Sequence, residues 1–111
     1  MKIKKDGKII DLGKIKKVNW FGKFSGLMFC RREKADSLIF EFKKPTKMKI
    51  HSYFVFFPFL AIWLNKDDEI LALKEVKTFK INIGIKKSYS KLIEIPINEK
   101  YKKIIELLVG D

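Results

Sequence analysis

The stretch Lys47–Leu64, KMKIHSYFVFFPFLAIWL, constrains this chain more than any other. A core that excluded it would leave the largest apolar surface of the protein in water, and burial of apolar area is the main favourable term in folding. It is too short to cross a membrane as a helix. Its apolar part, Tyr53–Leu64, spans about a dozen residues and is interrupted by Pro58, against the roughly 20 that a bilayer requires. Buried strands are the expected outcome. Phe59–Leu64 is apolar at every position, as in a strand covered on both faces. Lys47–Phe56 reads as a second strand, with Met48, Ile50, Ser52, Phe54 and Phe56 on one face. Its other face, Lys47, Lys49, His51, Tyr53 and Val55, is polar at first and apolar later. Pro58 cannot donate to a ladder and marks the bend between the two.

The remaining chain punctuates itself in the same short units. Asp6-Gly7 between Met1–Lys5 and Lys8–Leu12 is a strong hairpin signal, because both turn positions favour positive φ. Lys14–Trp20 suggests a third strand. Gly22–Arg32 places Phe24, Leu27 and Met28 at helical spacing, predicting a short helix near 23–31. Ser37–Phe42 alternates as a strand and Lys43–Thr46 reads as a loop. Asn65–Asp68 is a polar turn that sends Glu69–Leu73 back as a hairpin arm. Val76–Ile81, Ile83–Ile85 and Lys91–Ile97 are further strand candidates. At the end, Asn98 as N-cap, Glu99 in the first turn and Tyr101, Ile104, Ile105 and Leu108 at helical spacing predict a helix near 99–108, with Gly110 as its cap. The sum is a single mainly β domain over 1–111, a compact barrel or sandwich of short strands. Helices are too few for a parallel α/β sheet.

Chemistry is sparse. One histidine and one cysteine cannot supply a zinc site, and no carboxylates show calcium-loop spacing, so no metal and no cofactor is expected. No glycine-rich phosphate loop occurs. Lys66-Asp67-Asp68-Glu69 is explained by a turn, and Cys30 by a small buried hydrophobe. His51-Ser52 are adjacent on a strand and point to opposite faces. A hydrolase would therefore need Ser25 or Ser37 and a carboxylate such as Asp36 or Glu94. His51–Phe57 echoes an RNA-recognition strand, but lacks its glycine and basic positions and its βαββαβ setting. The net charge is +12, from 25 basic residues of which only Arg31 and Arg32 are arginines. The lysines are spread along the chain, and arginine is the better base and phosphate fork. Composition alone thus favours a solvated lysine surface over a dedicated polyanion site. No export signal is read at the N-terminus, and a cytoplasmic protein is expected.

Five segments in order resemble the domain of unknown function 192 family: Gly26–Phe29 with Arg31, then Leu38–Phe42, then His51–Pro58 leading to Ile62–Leu64, then Leu92–Pro96, and Gly110-Asp111. The resemblance covers Val18–Asp111 and implies a compact jelly-roll-like β domain, without implying an activity. Ser25 stands where that family usually has arginine, and Leu60 where it usually has aspartate. The expected function is non-enzymatic binding of a small ligand or protein partner beside the 47–53 strand. Lys49, His51, Ser52 and Tyr53 form its wall and Arg31 is the charged neighbour. Lysine-driven polyanion binding and a His-dependent enzyme are the alternatives.

Overall fold

A computed structural model of the chain describes residues 1–18, 31–50 and 55–110. Of the predicted helix near 23–31 only Arg31 is described, and it is extended; the rest, with Ser25 and Cys30, lies outside the described residues.

The first hairpin forms where its turn chemistry demands. Strands β1 (Lys2–Lys5) and β2 (Lys8–Asp11) pair antiparallel, with Lys2 opposite Asp11 and Lys5 opposite Lys8. Asp6 at φ 51° and Gly7 at φ 79° occupy the left-handed region that such a two-residue turn requires. Five more strands make a mixed sheet: β3 (Lys16–Val18), β4 (Leu38–Thr46), β5 (Phe59–Leu64), β6 (Ile70–Val76) and β7 (Tyr89–Pro96). Their order is β3-β4-β7-β5-β6, with only the β3–β4 pair parallel. The chain closes with a 3-10 turn, Glu99–Tyr101, and helix α1 (Lys102–Val109). The Asn98 side chain caps this end by accepting from the Tyr101 N–H, as its sequence position predicts.

The sheet is covered on both faces, and β5 shows how. All six of its residues are buried. Phe59, Ala61 and Trp63 face one core with Phe40, Val55, Phe57, Tyr89 and Leu92. Leu60, Ile62 and Leu64 face the other with Ile3, Leu12, Ile93, Ile95, Tyr101 and Leu108. The first hairpin and α1 thus roof one face, and the chain around Ile50 and Val55–Phe57 roofs the other. Each fully buried large side chain contributes about 1.5–3 kcal/mol, so β5 alone anchors much of the fold.

Several expectations are corrected. Lys43–Thr46 is not a loop, since β4 runs through it to Thr46, which pairs with Tyr89. Its register shifts between Glu41 and Thr46, and an irregular stretch of that kind is where a strand tolerates Pro45. Val76 closes β6 rather than opening a new strand. Phe79 at φ 58° and Asn82 at φ 55° then break the extended path, so Val76–Ile81 and Ile83–Ile85 are not strands. Of the described part of Lys47–Phe56, only Ile50 makes a bridge, antiparallel to Ile83. Ile50 and Val55 are both buried, while Phe56 is 57% exposed. The mainly β expectation holds. Among the described residues, however, the five-stranded sheet is open and no barrel closes. Three-residue β3 and strand β6 form opposite edges, and the β1–β2 hairpin meets the β6 side through the single bridge Lys4–Glu69.

Candidate functional site

Lys49 is exposed beside Ile50, and a Cβ on Gly84 would come within 3.0 Å of its Cγ. The Lys49 stem therefore lies on the Gly84 backbone, and a larger residue there would displace it. Arg31 is also exposed but belongs to another part of the fold. Its carbonyl accepts from the N–H groups of Lys34 (3.1 Å) and Ala35 (2.9 Å), closing the turn at Arg32–Lys34. That turn is tied to the end of β7: Arg32 Nε donates to the Ile97 carbonyl (2.7 Å), and Asn98 Nδ2 donates to the Arg32 carbonyl (2.7 Å). Among the described residues, no hydrogen bond or ion pair joins Arg31 to Lys49. His51, Ser52 and Tyr53 lie outside the described residues.

What the fold builds around Lys49 is a lobe from two distant pieces of chain, 43–50 and 77–88. One pairing joins them, and three further contacts tie them to β6 and β7. Ile50 and Ile83 exchange both backbone hydrogen bonds (2.8 and 2.9 Å). The Tyr89 hydroxyl donates to the Met48 carbonyl (2.5 Å), Lys74 Nζ donates to the Gly84 carbonyl (2.7 Å), and Thr46 pairs with Tyr89. These 20 residues contain eight lysines (Lys43, Lys44, Lys47, Lys49, Lys77, Lys80, Lys86 and Lys87) and no aspartate or glutamate. All eight are exposed. The lobe thus carries +8 of the net +12.

Beneath the lobe the sheet face holds polar groups in an apolar setting. Tyr89 is 1% exposed, and burial, reinforced by the nearby Glu94, pushes its phenol up to about 12. Glu94, also 1% exposed, stands between Leu38 and Ala61 on the neighbouring strands. The Trp63 ring meets Tyr89 edge-on at 6.4 Å, and its Nε1 is buried without a hydrogen-bond partner. A polar contribution from this indole opposes the rise at Tyr89 without reaching hydrogen-bond geometry.

Of the groups considered for a hydrolase, Asp36, Ser37 and Glu94 are among the described residues, and His51 and Ser25 are not. Asp36 is exposed and bonded to Lys100 (2.6 Å), which holds its carboxyl below the usual carboxylate value. Ser37 is 1% exposed, its hydroxyl has no partner, and its backbone N–H donates to the Tyr101 hydroxyl (2.8 Å). Among the described residues no three of His, Cys, Asp and Glu gather as a metal site. Three clefts lined by described residues, of about 520, 380 and 590 Å³, all lie near the ends of α1, away from the lobe.

No family model, no curated protein and no solved structure matches this chain. The site therefore rests on its own chemistry. Sequence reading found the 47–50 half of the lobe and missed the other. A signal was available: 77–88 has four lysines and no acid in twelve residues, a one-sign run that a pair of alternating strands does not explain.

Proposed function

We propose that this chain is a non-enzymatic binding domain whose ligand is an extended polyanion held by 43–50 and 77–88. One observation carries the reading: eight exposed lysines and no acidic residue come together from two distant segments. Clustered charge of one sign raises the local concentration of oppositely charged partners and speeds their capture. The location expected beside the 47–53 strand is proposed again through its described part, Lys47–Ile50. The polyanion alternative is preferred to a small ligand or protein partner in a groove, because Arg31 and Lys49 belong to different parts of the fold. Membership of the domain of unknown function 192 family, its jelly-roll-like arrangement and a cytoplasmic setting remain part of the proposal. The five ordered sequence motifs support the first two, and the lone Cys30 supports the third.

The test compares Lys47, Lys49, Lys86 and Lys87 changed together to Gln with Lys4, Lys8, Lys102 and Lys103 changed likewise. Binding to inorganic polyphosphate is measured across a salt series. The lobe variant should bind more weakly, with a salt slope lower by roughly 0.7–0.9 for each contacting lysine removed. Equal losses in the two variants would mean diffuse charge and no site.

A further inference from the structure

The lobe carries more than charge. Among the described residues, Met48 (39%), Phe56 (57%), Phe79 (55%) and Ile81 (53%) are large apolar side chains exposed on it or against it. Phe56 and Phe79 meet edge-on at 5.9 Å, and Ile81 follows two residues beyond Phe79. Single exposed hydrophobics are ordinary; a group of them among eight lysines is not. Phe79 also stands at φ 58°, a left-handed conformation that glycine or asparagine would adopt with less strain. The turn thus presents a bulky apolar ring at a position whose backbone disfavours it.

Resting on the polyanion reading above, we infer that the surface this lobe meets is a bilayer containing anionic lipids. The lysines sit at the headgroups, and Phe79, Ile81, Phe56 and Met48 enter the boundary with the acyl chains. Three features separate this from nucleic acid. The lobe has no arginine, so it lacks the planar fork that recognises phosphates and bases bidentately. Ile81 and Met48 are aliphatic and give no stacking platform, whereas lipid boundaries accept aliphatic and aromatic side chains alike. Lysine acts as a point charge, which suits a mobile layer of anionic headgroups with no fixed geometry. Charge and apolar insertion together provide the two signals that stable peripheral binding needs.

The experiment uses the full chain, the double variant Phe79→Gly with Ile81→Ser, and the four-lysine lobe variant. Each is sedimented with vesicles of phosphatidylcholine alone and of phosphatidylcholine with phosphatidylserine, and titrated with polyphosphate and single-stranded oligothymidylate. Glycine suits the backbone at position 79, so the double variant should stay folded, which circular dichroism checks. The full chain should bind polyphosphate and the serine-lipid vesicles, and should not bind vesicles of phosphatidylcholine alone. The apolar variant should lose roughly tenfold or more of its vesicle binding and keep its polyphosphate binding, while the lysine variant loses both. Vesicle binding that survives the apolar change would overturn the insertion of Phe79 and Ile81 and reduce the inference to the polyanion reading. So would oligothymidylate binding without vesicle binding. Failure to bind vesicles, polyphosphate and oligonucleotide at low salt would overturn both.

Discussion

Asn98 offers the sharpest test of how the fold is held. Its side chain works in two directions from a position 6% exposed. Oδ1 accepts from the Tyr101 N–H (3.3 Å), capping the closing helical segment. Nδ2 donates to the carbonyls of Arg32 (2.7 Å) and Ala35 (3.3 Å), fastening the turn before β4 to the end of β7. Asn98→Ala removes all three contacts. Loss of a cap costs about 1 kcal/mol. The Arg32 carbonyl is partly buried and regains some water, and the bond to Ala35 is long. Together they add about 1–2 kcal/mol. The total of about 2–3 kcal/mol should lower the melting temperature by roughly 10 °C in a domain of this size.

Two further substitutions at Asn98 separate the directions. Asn98→Ser keeps an oxygen for the cap and loses most of the donation. Asn98→Asp keeps a stronger cap but points a carboxylate at two carbonyl oxygens. Urea and thermal unfolding should therefore rank the wild type first, then Ser, with Asp and Ala below. If Asn98→Asp matched the wild type, the donated bonds would contribute nothing, and the tie between the two segments would have to be sought elsewhere. An Asn98→Ala loss below about 0.5 kcal/mol would refute the whole argument.

Two other outcomes follow from buried polar groups. The phenol of Tyr89 is raised in the folded state, so its contribution is fully present below the ordinary value of 10.0 and is lost as pH climbs towards about 12. Roughly 2–3 kcal/mol should disappear across that window. Tyr89→Phe should flatten the alkaline decline in urea stability relative to the wild type, and an unchanged slope would show that the Tyr89 phenol does not cause it. Ser37 buries a hydroxyl without a partner while its backbone N–H carries the bond to Tyr101. Ser37→Ala should therefore be neutral or stabilising by up to about 1 kcal/mol in denaturant melts. A loss above that size would mean the hydroxyl has a role in the fold.

Legibility in the sequence followed the range of the interaction. The Asp6-Gly7 turn, the Asn98 cap and the turn before β6 are decided by neighbours a few residues apart, and all were readable. In the last of these, Asn65 Oδ1 accepts from the N–H groups of Asp67 (2.9 Å) and Glu69 (3.0 Å). The all-apolar run of β5 announced a strand covered on both faces, because only a doubly roofed strand can bury six such residues. What could not be read depended on partners far along the chain. Pro45 looked like a loop residue until β7 met β4 across a register shift. Ile83 looked like part of a strand, yet its extended neighbourhood is limited by Asn82 and its pairing to the single partner Ile50. Glu94 carried a faint mark, a carboxylate on the same strand face as Leu92, but only the neighbouring strands show that it is buried.

The lobe shows why a cluster of like charge can sit on so small a fold. Two unit charges 10 Å apart in water repel by about 0.4 kcal/mol. Salt at physiological strength screens beyond roughly 8 Å. Each well-separated pair of exposed lysines therefore costs little, but eight lysines make many pairs, so the backbone beneath them has to be held by other means. Here it is: the paired bonds of Ile50 and Ile83, the Tyr89 hydroxyl on Met48 and the packing of Ile50, Ile83 and Ile85 against the core all lie under the charges. Sequence spacing hides this arrangement, because half of the charge comes from 43–50 and half from 77–88, with β5 and β6 between them. The same strands that separate the halves in the chain hold the sheet against which they close. Lysine content alone therefore says little about where such a surface forms. The Ile50–Ile83 pairing and the Tyr89 tether determine it.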